Sequence, residues 1–281
     1  MLANIIIVSA LFLGSITDFK KREVPDTLNY SLIVIGFLFN GVLSLLNFNY
    51  VYILNSLVGF GIGFGIGALF YYTGQWGGGD AKLVMGVGAV LGVNPFTIFS
   101  SFPVFILFLI SSLLVGAVYG LLWLSVLAFK NKGAFIDEYK KISGKRIDFV
   151  LKIVLIVLAV VFLVALYLGV DRSFMLVGYF FLVLLAVGLY FKNLLQAVER
   201  SVLIKKISVN NLTEGDWVMD DFKFKTAKFS PSKTGVSTED IALLKKEKVK
   251  FVTVREGIPF VPSFFISYLL ILLLGNWLLL F

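Results

Sequence analysis

Neither cysteine nor histidine occurs in the 281 residues of this chain. Without cysteine there is no disulfide, no thiolate ligand and no sulfur nucleophile. Without histidine there is no imidazole base, so serine–histidine hydrolysis and HExxH zinc chemistry are excluded too. Charge is also scarce, at 15% of residues against about a quarter in soluble domains. Any hydrolysis must run on carboxylates, lysine, hydroxyls or a carboxylate-bound metal.

What is present is apolar: 59% of residues are hydrophobic and the mean hydropathy is +0.95. A bilayer core of about 30 Å takes about 20 helical residues. Apolar runs of that order are predicted at 2–17, 28–47, 51–73, 81–93, 96–129, 149–170, 173–191 and 262–281. The fourth is too short to cross unless it tilts or is sheltered. The fold class expected is an all-α polytopic membrane protein of about 6–8 transmembrane helices, with a small α+β cytoplasmic domain. The first span lacks a basic n-region and a small-residue cleavage site, and reads as retained.

The net charge of +8 follows from where the basic residues lie. Lys20, Lys21 and Arg22 follow the first span, Lys82 the third, and Lys130, Lys132, Lys140, Lys141, Lys145, Arg146 and Lys152 the fifth; all later ones but Arg172 fall in 192–261. Lys and Arg accumulate on the cytoplasmic side, so the odd loops are expected there and both termini outside. Nucleic acid is not an expected partner, because no base-stacking aromatics accompany the charge. The organisation read from this pattern is a membrane core at 1–130, a basic cytoplasmic loop at 131–148 and further transmembrane helices at 149–191. A cytoplasmic α+β domain at 192–261 and a final span at 262–281 complete it. Within that domain Ser237 and Asp240 form a predicted capping box, and 249–254 alternates as a strand does. Pro259 and Pro262 mark the entry to the last span.

Gly59, Gly63 and Gly67 share one helix face at a spacing of four, which permits close helix approach; a flexible gate is the alternative. Two acids stand at span edges, where ionisable groups point to function. Asp18 ends the first span, within Asp18-Phe19-Lys20-Lys21-Arg22-Glu23-Val24-Pro25-Asp26. Asp80 follows Gly77-Gly78-Gly79, whose freedom lets backbone run non-helically and a peptide pass close. Singly, each acid also reads as a cap or as an interfacial partner of Lys20–Arg22. Together, at one membrane edge, they read as a carboxylate dyad. Two close carboxylates share one proton; the ionised one activates water and the protonated one polarises a carbonyl. No cofactor and no metal is required. Helix-end charges favour ionised Asp80, at a helix start, and protonated Asp18, at a helix end.

Gly77-Gly78-Gly79-Asp80 resembles the GxGD signature of the membrane aspartic proteases, the group that includes presenilin. Asp18 with Lys20 and Val24-Pro25-Asp26 resembles the first-aspartate motif of type IV prepilin peptidases, most closely the archaeal preflagellin (archaellin) and prepilin peptidases. Gly257-Ile258-Pro259-Phe260-Val261-Pro262 is similar to the C-terminal end of that family. The resemblance covers about residues 1–130. It implies that Asp18 and Asp80 are catalytic and that Gly77, Gly78 and Gly79 line the site. It implies an aspartic endopeptidase that cuts short basic leaders from pilin or archaellin precursors at the cytoplasmic membrane face. Glu23 and Asp26 are candidates to hold leader Lys or Arg, or else pair locally with Lys20–Arg22. The cysteine-containing segment and methyltransferase region of bacterial members are missing, so N-methylation is not expected. The other classes open are a proton- or cation-coupled transporter using Asp18 and Asp80, and a non-catalytic assembly protein.

Overall fold

The computed structural model describes residues 2–97, 102–144, 146–167, 172–224, 228–232 and 234–275. The chain forms two units, residues 1–122 with 206–281, and residues 123–205. Helices α1 (Leu2–Lys21), α2 (Asp26–Leu46), α3 (Val51–Tyr72) and α5 (Val104–Lys130) are long and apolar enough to cross a bilayer. Leu38, Leu45, Phe64, Leu69 and Leu122 stand exposed on them, as a lipid-facing surface requires. The chain is a helical polytopic membrane protein with a small α+β domain.

Helix α4 (Gly78–Leu91) lies between α2 and α3. Its 14 residues rise roughly 21 Å, less than a bilayer core, and Leu83, Val84, Val87 and Ala89 have no exposed surface. Glycine makes this enclosure possible. A Cβ on Gly63 would stand 3.0 Å from the Met85 Cα, and one on Gly67 3.0 Å from the Ala81 carbonyl oxygen. One on Gly59 would overlap the Gly88 carbonyl. Among the described residues Gly61 and Gly65, on other faces, meet nothing within 4 Å. The spacing of four is therefore a packing seam. On the α2 side, Gly36 lies against the Ala89–Val90 backbone, and the Asn40 amide donates to the Ala89 and Val90 carbonyls at 3.1 and 3.2 Å. Gly92 ends α4 with a left-handed φ of 65°.

The predicted span 96–129 begins later than expected. The Asn94 side chain accepts the Phe96 N–H at 2.9 Å to close a turn, and Pro103 immediately precedes α5. Residues 98–101, residues 168–171 and residues 276–281 of the last predicted span lie outside the described residues.

In the second unit, α6 (Lys132–Ser143) occupies most of the segment read as a basic loop. Its Ile142 is buried, and Lys141 pairs with Glu138 at 2.5 Å. Helices α7 (Arg146–Tyr167) and α8 (Arg172–Val198) follow, and a π-helical turn at Glu199–Leu203 ends α8. Buried Ala197 and Val198 explain why α8 runs past the predicted limit of 191.

The small domain is built on strands β1 (Ile204–Ser208), β2 (Trp217–Val218) and β5 (Phe251–Arg255), in the order β1-β5-β2. Strands β2 and β5 pair antiparallel, with Val218 opposite Val254. A hairpin of β3 (Phe222–Lys223) and β4 (Lys228–Phe229) and helix α9 (Thr238–Lys246) complete it. The predicted capping box is present: the Ser237 hydroxyl accepts the Asp240 N–H at 3.1 Å, and the Asp240 carboxylate accepts the Ser237 N–H at 3.0 Å. Val218, Phe229, Leu244 and Val252 form its core. From β5, residues 256–260 lead into α10 (Val261–Leu274), which packs on α1.

Candidate active site

Asp18 lies in the last turn of α1 and is 5% exposed. Helix α1 ends just beyond it, where Arg22 adopts a left-handed φ of 59° and donates its N–H to the Asp18 carbonyl at 2.9 Å. Among the described residues Asp18 makes no ion pair with Lys20 or Lys21. Its Oδ2 accepts the backbone N–H of Val261, the first residue of α10, at 2.9 Å. Arg22 and Tyr119 of α5 are within electrostatic reach.

Asp80 stands in the first turn of α4, outside the four long spans. Gly77 is the extended cap residue, and the Asp80 Oδ2 accepts its N–H at 3.0 Å. Burial and then the Asp18 charge push the Asp80 carboxyl up to about 7, against the Gly77 N–H, which favours its ionised form. The two carboxylates therefore feel one another. Among the described residues no third acidic, His or Cys side chain joins them in a cluster that could hold a metal.

The sequence reading separates the two acids by helix end, Asp18 at a negative end and Asp80 at a positive one. The fold removes much of that distinction. The start of α10 delivers a second positive helix end to Asp18, so each carboxylate meets a free N–H of a helix N-terminus.

The glycines before Asp80 differ from expectation. Gly78 and Gly79 are already helical, and Gly77 has an ordinary φ of −69°. What Gly79 supplies is close approach, since a Cβ there would stand 3.1 Å from the Val24 Cβ. The start of α4 is thus pressed against the loop after Asp18 by this chain's own backbone. Asp26 pairs with Lys82 at 2.6 Å instead of with Lys20–Arg22, and Lys82 also lies over the Tyr30 ring. Glu23 is exposed and has no ion-pair partner among the described residues.

Sequence reasoning missed the contribution of α10 and of Trp76. Trp76 is 5% exposed and stacks on Phe70 at 4.5 Å, with Phe264 5.3 Å away on its other contact. The available signal was Pro259-Phe260-Val261-Pro262, two prolines that fix a helix start, though nothing local says which carboxylate that start would meet.

Residues 5–121 match the sequence model of the type IV leader peptidase family. The preflagellin peptidase of Methanocaldococcus jannaschii is 40% identical over 29% of this chain and 34% of its own length. That of Methanococcus voltae is 38% identical over 36% of this chain and 43% of its own. The chain thus spans less than half the length of these two relatives. The prepilin peptidase EppA of Methanothermobacter thermautotrophicus is 22% identical, with 98% of this chain and 95% of that protein covered. The part of the chain that is similar to the type IV leader peptidase family, residues 5–121, thus carries both aspartates, most of α1 and all of α2 to α4.

Proposed function

We propose that this chain is a membrane aspartic endopeptidase that removes short basic leaders from archaellin or type IV pilin-like precursors at the cytoplasmic membrane face. The observation that carries the reading is the coupling of two acids from remote stretches, Asp18 and Asp80, at the edge of a membrane core without His or Cys. The relatives' names and the family of residues 5–121 support the substrate class.

The chemistry follows from one proton shared between two carboxyls. One carboxyl of the pair, ionised, takes a proton from water as that water attacks the scissile carbonyl, and the other gives its proton to the carbonyl oxygen. On collapse the first gives the water-derived proton to the leaving amine and the second recovers its proton from the gem-diol hydroxyl. Each carboxylate accepts one helix-start N–H, from Val261 and from Gly77, so the two titrate as a unit. Gly77 remains exposed beside Asp80, which leaves an edge along which an unwound peptide can run. Leader Lys or Arg meets Glu23 directly, whereas at Asp26 it must displace Lys82.

Purified protein is to be incubated with preflagellin and prepilin precursors and the shortened product followed. Asp18→Asn and Asp80→Asn are each expected to abolish cleavage while the protein still inserts and folds. Full cleavage by either variant removes the aspartic mechanism. The cytoplasmic placement, supported by the basic odd loops, is tested separately. Lys21→Cys and Glu138→Cys should resist an impermeant thiol reagent in intact cells, and strong labelling contradicts it.

A further inference from the structure

Resting on Asp18 as a reacting carboxylate, we infer that the start of α10 is its positioning element: the Val261 N–H orients the carboxylate, and Phe260, seated on Gly116, holds that N–H in place. Val261 is fully buried, and its Cγ1 lies 3.2 Å from where a Cβ on Gly14 would stand, one turn before Asp18. The Phe260 ring fills the space that a Cβ on Gly116 of α5 would need. The same ring lies 6.1 Å from Trp76 and 5.2 Å from Phe264, perpendicular to the latter. The first turn of α10 is thus held from three directions, by α1, by α5 and by the turn before Asp80.

The chain also limits the donors. Pro262 has no N–H, and the Ser263 N–H is taken by the Phe260 carbonyl at 2.9 Å. The Val261 N–H is directed at Asp18 at 2.9 Å, and the Phe260 N–H stands beside it as the weaker second donor. Trp76 adjoins Gly77, whose N–H holds Asp80. One aromatic cluster therefore registers the donors of both carboxylates, although they come from opposite ends of the sequence. An acid–base pair works only when held to within a fraction of an ångström. A hydrogen bond from a buried backbone N–H to a carboxylate supplies that restraint on Asp18.

Replacing the Val261 residue by its α-hydroxy acid converts the amide to an ester and removes the N–H while keeping the side chain. The full-length ester protein should lose about 10- to 100-fold in kcat with KM within about twofold. The same ester exchange at Leu270, inside α10, should leave kcat near wild type. Gly116→Ala, which drives a methyl into the Phe260 ring, should lower kcat in the same way. Adding Phe260→Leu to that variant should restore most of the loss. Wild-type kcat in the ester protein overturns the inference, as does a Gly116→Ala defect confined to KM or unrelieved by Phe260→Leu. An active ester protein beside an inactive Asp18→Asn protein sinks only the positioning role. Cleavage by Asp18→Asn itself sinks the underlying reading of Asp18.

Discussion

The end of α1 and the start of α4 each present one carboxylate, and they are held by opposite strategies. Asp80 is held locally, by the N–H of Gly77 three residues earlier. Asp18 is held by the N–H of Val261, 243 positions later in the chain. A local cap forms wherever its helix forms. A remote donor exists only when α10 has docked against α1, α5 and the Trp76 turn. The two acids are chemically alike and structurally unequal, so Asp80 should survive perturbations of the C-terminal region that misplace Asp18.

The largest expected effects test whether the two are equal in chemistry despite that inequality. Asp18→Glu and Asp80→Glu should each lose of order 100-fold in cleavage rate, since one methylene moves the carboxyl by about 1 Å. A rate within about threefold of wild type for one of them would show that only the other must be held tightly.

Next in size is the platform beneath Asp80. Gly59→Ala would place a methyl into the Gly88 carbonyl, where backbone meets backbone and neither can yield. It should destabilise the protein by about 1–3 kcal/mol in thermal unfolding in detergent. Gly61→Ala, in the same helix with nothing within 4 Å among the described residues, should change stability by less than about 1 kcal/mol. Equal effects at the two positions would contradict the packing seam.

The pH dependence probes the pair as a unit. With Asp80 pushed up to about 7, the shared proton leaves as pH rises through that value. Both carboxylates are then ionised and no acid remains, so cleavage should fall about tenfold per pH unit well above it. A rate that stays level to pH 9 would mean that cleavage needs no proton held by the pair. The smallest effects belong to the exposed rim. Lys82→Gln breaks the Asp26 pair and should cost no more than about 1 kcal/mol of stability. Glu23→Gln should raise KM a few-fold for a basic-leader precursor with kcat unchanged.

Much of this was legible in the residues. Apolar runs of membrane length predicted the spans, because a bilayer leaves few other ways to satisfy a backbone. The Ser237–Asp240 cap and the strand near 251 were readable because caps and alternation are local. The i, i+4 glycines of α3 predicted a close helix contact, and α4 is the helix that makes it. The glycines before Asp80 misled, because glycine marks either backbone freedom or close approach. Here Gly79 serves the second, against Val24, a contact between segments more than fifty residues apart.

Composition alone determined that this is a helical membrane protein and that the chain offers no imidazole or thiol, and motif spacing proposed Asp18 and Asp80 as the acids to pair. Those are properties of residue type and short-range order, which need no folded partner. Tertiary structure alone decided what surrounds each acid. It set the α10 N-terminus on Asp18, the Phe260 ring on Gly116, and Lys82 on Asp26 in place of the nearer basic residues. A hydrogen bond or a ring contact acts over a few ångströms of space, and sequence separation carries no information about which remote groups folding will bring within that range.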